Sequence, residues 1–296
     1  MTSTDERPRI DAITKPGVYD GIPEAVYHRD PVPGGSLSSS GARKLLPPSC
    51  PALFKYDQDH KPPHKKEFDF GHAAHELVLG VGSGIKVIEA ADWKKKDSQE
   101  AKKAAYAEGK VPLLPKEMDV VKAMAKVIRE HPIAGALFRP GTGLPEQSLF
   151  WKDPATSVIC RARFDWLPTQ VKGKRLVIGD YKTAHSLTDR DLQKAIHEHG
   201  YHQQDDFYRA GARALGIGDK DTSFVFVFQM KRPPYLIRVV ELDWVARRIG
   251  RERNEKALKT YARCMETGIW PGFSDTIEIF SLPVYAERQH DEEFMA

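Results

Sequence analysis

The chain has 296 residues, 45 Lys and Arg against 41 Asp and Glu for a net charge of +4, and 41% hydrophobic content. This length allows one large or two small folded domains with a substantial core, and the mildly basic balance permits a polyanionic partner without requiring one. Apolar runs such as Phe224 to Phe228 fall far short of the roughly 20 residues that cross a bilayer, and the start MTSTDERPRI lacks a signal peptide's apolar centre, so a cytosolic address is expected.

Residues 1–35, rich in Pro, Gly and charge, read as a loosely structured lead-in with one extended piece around Val18. A single domain is expected to fill 36–296, with a helical insertion around 90–135. Ser36 to Ser40 precede Ala42, Leu45 and Leu46, which predicts a helix beginning near Ser38 or Ser39. After the break at Lys61 to Pro63, EFDFGHAAHELVLG places Phe70, Ala74, Leu77 and Val78 at helical spacing, with His75 off that stripe. Residues 93–110 predict a polar exposed helix, and Pro115 to Glu130 a helix with Met118, Val121, Ala125 and Ile128 on one face. Gln147 to Trp166 reads as an antiparallel hairpin turning at Asp153 and Pro154, and RLVIGDYKT as a strand after a turn at 172–174. Residues 188–214 are helical, FVFVFQMKRPPYLIRVVEL is a hairpin turning at Arg232 to Pro234, and Trp244 to Thr267 is a helix ended by Gly268. The expected class is α/β (α+β), a mixed central sheet flanked by helices. Basic residues cluster at 61–66, 94–110 and 247–253, as solvated faces or phosphate tracks.

Chemistry concentrates in RARFDWLP and LVIGDYKT. Asp180 and Lys182 are two apart on a strand, so both side chains project from one face. A hairpin brings Asp165 of the preceding strand beside Asp180. Two adjacent carboxylates repel unless a cation lies between them, and hard oxygen ligands favour Mg²⁺, with Mn²⁺ as the other candidate. Such an ion activates water for attack on a phosphodiester, with Lys182 positioning or deprotonating that water.

These motifs resemble the RecB-like branch of the PD-(D/E)XK nucleases, and especially the exonuclease VIII (RecE) group of phage recombination exonucleases, over roughly residues 36 to 210. The resemblance implies a restriction-endonuclease-like core. GHAAHE is similar to the motif that supplies a histidine metal ligand, here His75, and PEQSLFW to the segment carrying an acidic residue, here Glu146. FDW and GDYKT match the catalytic core, giving Asp165, Asp180 and Lys182, so the implied metal set is His75, Glu146, Asp165 and Asp180. YHQQDDFY resembles the Y-x-x-Q-x-x-x-Y helix, giving Tyr201, Gln204 and Tyr208. The residues themselves support this, because a Gln amide can bond both a lysine and a phosphate, and a Tyr hydroxyl can reach a backbone oxygen. Gln204 and Tyr208 are therefore catalytic-support candidates, and Tyr201 and Gln204 DNA contacts. The helix start at Ser38 and Ser40, followed by Arg43, is a candidate for a 5′-phosphate.

The resemblance implies hydrolysis of one strand of linear duplex DNA, 5′→3′, leaving a 3′ overhang for an annealing partner, by a homo-oligomer in bacterial or phage-infected cytoplasm. A structure-selective endonuclease and an inactive DNA-end-binding module are the other readings of the same core. Three scattered cysteines, Cys50, Cys160 and Cys264, do not suit an iron–sulfur cluster or a zinc pair. Leu79 to Gly84 (LGVGSG) lacks the strand and lysine of a P-loop, so no ATP site is expected. His197, His199 and His202 lack the further ligands that zinc would need.

Overall fold

The computed structural model describes residues 12–60, 69–170 and 173–294. The basic cluster at 61–66, the charged start and part of the turn at 172–174 lie outside the described residues. The elements run β1 (Gly17–Tyr19), α1 (Glu24–Arg29), β2 (Leu37–Ser38), α2 (Ser39–Lys44), α3 (Pro51–Asp59), α4 (Asp69–Leu79), β3 (Ile85–Val87), α5 (Lys96–Ala107), β4 (Val111–Leu113), α6 (Pro115–Glu130) and α7 (Ala134–Leu137). Then follow β5 (Gly143–Lys152), β6 (Ile159–Pro168), β7 (Val177–Ala184), α8 (Asp189–Glu198), α9 (Tyr201–Ala214), β8 (Ser223–Met230), β9 (Ile237–Glu241), α10 (Trp244–Thr267) and α11 (Val284–Phe294).

Strands β1-β5-β6-β7-β8-β9 lie side by side, with β2 parallel to β6. β7 and β8 are also parallel, joined by the crossover through α8 and α9, while β1–β5, β5–β6, β6–β7 and β8–β9 are antiparallel. The mixed sheet flanked by helices is the expected class.

Every residue of β8 is buried, which explains why its sequence is a continuous apolar run rather than an alternating one. Phe224, Phe226 and Phe228 face a core that also contains Leu37, Phe54, Trp151, Phe207 and Tyr261, contributed from the α2, α3, α9 and α10 side. Val227 faces the opposite core with Ala73, Ala74, Met124, Ile128 and Tyr181, on the α4 and α6 side. Each fully buried Phe contributes on the order of 2–3 kcal/mol by leaving water.

Ser38 caps α2 by accepting the Gly41 N–H, and Gly268 ends α10 in the left-handed region at φ +70°, both where the sequence places them. The stretch 188–214 breaks into two helices at Gly200, whose φ of +68° a side chain would strain. Gly250 lets α10 close on α9, since a Cβ there would sit 2.0 Å from the His202 carbonyl oxygen.

Residues 12–35, read from sequence as a loose lead-in, carry β1 and α1. Ile13, Ile22 and Tyr27 bury against Phe150 of β5, and Arg161 of β6 binds Asp30 at 2.5 Å and the Ser36 carbonyl at 2.6 Å. Scattered apolar residues among Pro and Gly show no period, so the sequence conceals that packing. The short parallel pair β3–β4 and helix α7, three- or four-residue elements too brief to display a repeat, lie outside the sequence pattern, as do the longer helices α3 and α11. Leu79 to Gly84 forms a turn into β3, with Gly80 and Gly84 at positive φ and the Gly84 N–H donating to Glu76 at 3.0 Å.

Candidate metal centre

The site forms where the regular alternation of β6 fails. Phe164 and Trp166 are two residues apart, yet they bury against opposite cores, so the strand changes phase at Asp165. Across the β5–β6 ladder, Pro145↔Trp166 and Gln147↔Phe164 bracket Glu146 and Asp165, and Glu146 adopts φ +53°, a conformation that non-glycine residues rarely take. On the other side, Trp166 pairs with Gly179, and the Asp165 carboxylate accepts the Tyr181 backbone N–H at 2.8 Å.

α4 presses Ala73 and Ala74 into the second core and thereby carries His75 to this point. His75 Nε2 lies 3.1 Å from Asp165 Oδ2, and Nδ1 lies 3.4 Å from Glu146 Oε1. Burial works against charge on His75, but Asp165, through charge and a hydrogen bond, and then Glu146 outweigh it and lift its pKa to about 9. Burial raises Glu146, partly offset by His75 and Arg163. Asp165 is held below the usual range because His75, Lys182 and the Tyr181 N–H outweigh its burial.

Asp180 and Lys182 form the second half. Asp180 is 1% exposed; its Oδ1 accepts from Gln204 Nε2 at 2.7 Å, and its Oδ2 forms an ion pair with Lys182. Burial, then the charge of Asp165, push Asp180 well above the carboxylate range. Asp180 and Asp165 keep Lys182 charged in spite of its burial. Tyr208 lies beside Gln204 on the same helix, and its ring stacks on Phe164 at 5.0 Å. Tyr201 packs on Phe226 and Phe228 and presents its ring to Lys182 Nζ at 5.5 Å.

Of the remaining candidates, Ser38 and Ser40 lie at the start of α2, and Arg43 lies against Gly200 at the start of α9. Ser38 Oγ is engaged in capping and lies 3.1 Å from Ser40 Oγ, while Arg43 donates to the Glu198 carbonyl at 2.9 Å, tying α2 to the end of α8. The ring of His202 is stacked on His197 and its Nδ1 lies 3.2 Å from the Ile196 carbonyl. One residue the sequence reading did not single out is Arg163, whose Nη1 lies 3.5 Å from Glu146 Oε2. Its signal was its position two residues before Asp165 in RARFD.

The donors suit a hard divalent cation. One ligand atom each from His75, Glu146 and Asp165 lie within 4.8 Å of one another, a span that one ion at about 2.0–2.6 Å from each ligand can bridge. Asp180 lies outside this trio, with Oδ2 engaged by Lys182 and Oδ1 by Gln204.

A mixed sheet that brings His75, Glu146 and Asp165 together beside the strand-borne Asp180–Lys182 pair defines the PD-(D/E)XK-like class. The sequence profile of the PDDEXK-like domain of unknown function (DUF3799) matches residues 38–283, and the chain belongs to that family. No curated protein matches it. Among solved structures it is similar to one from Eubacterium rectale described as "Putative exonuclease", at 10% identity and a TM-score of 0.52, covering 86% of this chain and 92% of that one. That likeness concerns the fold. A second structure, SSO0001, is 12% identical over 72% of this chain and 90% of the other, with a TM-score of 0.30.

Proposed function

We propose that the chain is a metal-dependent deoxyribonuclease that hydrolyses one strand of linear duplex DNA from an end. The observation that carries this reading is the convergence of His75, Glu146 and Asp165 next to the Asp180–Lys182 pair. Membership of a PDDEXK-like family and the exonuclease description of the Eubacterium rectale protein support the nuclease half.

Mg²⁺ or Mn²⁺, when bound, would supply acidity to a water and positive charge to the scissile phosphate. His75, Glu146 and Asp165 would hold the ion, with Asp180 completing the set. Lys182, kept cationic by its two carboxylate neighbours, is suited to orient the attacking water or a phosphate oxygen rather than to accept a proton. Gln204 restrains Asp180 and, with Tyr201, flanks the lysine where a strand would pass. Digestion from 5′ to 3′, a 3′ overhang, an annealing partner and a homo-oligomer extend the same reading. Self-association is supported by the segment after α10, where Ile277, Ile279 and Phe280 are 100%, 99% and 88% exposed.

The test is digestion of linear duplex labelled at either end, against covalently closed circles, with Mg²⁺ and with chelator. Shortening of the linear substrate alone, dependent on metal, is expected. Equal cleavage of circles would promote a structure-selective endonuclease, and binding without metal-dependent hydrolysis would leave a DNA-end-binding module.

A further inference from the structure

Arg163 is anchored on three sides by groups that have no part in binding a metal. Its Nε donates to Ser148 Oγ at 3.2 Å, one terminal nitrogen donates to the Ile22 carbonyl at 2.6 Å, and the guanidinium lies 4.4 Å from the centre of the Tyr27 ring. The side chain is 12% exposed. Its remaining terminal nitrogen lies 3.5 Å from Glu146 Oε2, while Oε1 of the same carboxylate is 3.4 Å from His75 Nδ1. Ile22 and Tyr27 belong to the segment that precedes the family match at residue 38.

We propose that Arg163 is a positioning residue for Glu146, and that residues 12–36 form a brace that holds Arg163 in place. This rests on reading His75, Glu146 and Asp165 as a divalent-metal site. A carboxylate whose two oxygens are equivalent can turn either one inward or swing out. A guanidinium fork anchored at its other nitrogens engages one oxygen and leaves the other aimed at the trio. The need is acute at Glu146, whose positive φ departs from the extended conformation that sets side-chain direction along the rest of β5. Tyr27 and the Ile22 carbonyl thus act on the site through one intermediary, which gives the N-terminal segment a role beyond covering Phe150.

Groups that orient a metal ligand typically affect metal affinity 10–100-fold when removed. The experiment is calorimetric titration of Mn²⁺ into the full-length metal-free protein, for wild type, Arg163→Met, Glu146→Gln and the double variant. Arg163→Met is expected to weaken Mn²⁺ binding about 10-fold or more, and the double variant to bind no more weakly than Glu146→Gln alone, because Arg163 acts through Glu146. Should circular dichroism show Arg163→Met unfolded, Ser148→Ala, which frees only Nε, takes its place in the same cycle with a smaller loss expected. Unchanged affinity, or losses that add in the double variant, would overturn the proposal. A wild-type protein that takes up no Mn²⁺ would instead refute the metal-site reading on which it rests.

Discussion

Asp180 and Lys182 illustrate how much a single strand position can decide. Asp180 is buried beside another carboxylate, and its charge is compensated by Lys182 and the Gln204 amide. Asp180→Ala removes a proposed ligand and the partner of a buried cation at once, so hydrolysis is expected to fall about 100-fold or more. DNA affinity should survive, because most of it comes from Lys and Arg contacts to phosphates. Lys182→Ala should lose activity comparably and bind slightly less tightly, one positive charge being deleted. Rates in Mg²⁺ and affinities in Ca²⁺, at one salt concentration, check both. Loss of binding in parallel with loss of rate would show that these residues hold DNA rather than cleave it.

At the scale of elements, α9 is held to the rest of the molecule by buried charge. Asp205 binds Arg209 Nε at 2.6 Å and faces Arg247 of α10, while Asn254 of α10 donates to the Gln203 carbonyl and to Asp206 at 2.9 and 3.0 Å. Burial raises Asp205 from 3.8 to about 6 in spite of Arg209 and Arg247, and Asp206 is raised for the same first reason. A folded-state pKa above the unfolded one means that the fold binds the proton more tightly. That contribution is present in full below about pH 4 and is lost as pH rises through about 6. Asp205→Asn cannot titrate, so urea denaturation at about pH 4.5 and about pH 7 should show wild type losing stability relative to the variant as pH rises. Parallel behaviour of the two proteins would mean that the arginines hold Asp205 ionised throughout. Since α9 also presents Gln204 to Asp180, this junction governs both stability and the site.

For the whole molecule, the informative feature is the segment beyond Pro271. Trp270 still packs on Phe54 and Tyr261, and the Ala52 N–H reaches the Pro271 carbonyl at 3.0 Å, but α11 buries no residue. Charges from Ile269 to the end comprise six acidic residues, at 275, 278, 287, 291, 292 and 293, and one basic, Arg288, so the segment is acidic within a chain of net charge +4. An acidic, apolar arm suits the basic remainder of a second copy. Light scattering on the full chain is expected to give more than one copy per particle, and replacing Ile277, Ile279 and Phe280 with Asp to give a monomer of unchanged urea stability. A monomeric wild type would remove self-association from the proposed function. Among the described residues no helix is long and apolar enough to span a membrane.

The sequence by itself determined the elements with strong periodicity and the strand face that Asp180 and Lys182 share. α10 runs over the residues its pattern and Gly268 delimit, β8 and β9 read as a hairpin from their apolar runs and the turn at Arg232 to Pro234, and the i, i+2 spacing of Asp180 and Lys182 fixes a shared strand face. These features are local, because propensity, capping and pleat act over a few residues. The tertiary structure alone decided which carboxylates meet. His75 reaches Glu146 and Asp165 because α4 docks on the second core, because β6 changes phase at Asp165, and because Glu146 takes a positive φ. Asp180 turns instead to Lys182 and Gln204. Arg163 and the N-terminal brace were equally hidden, since their contacts join residues more than 100 positions apart, and contacts that long leave no period in the sequence to read.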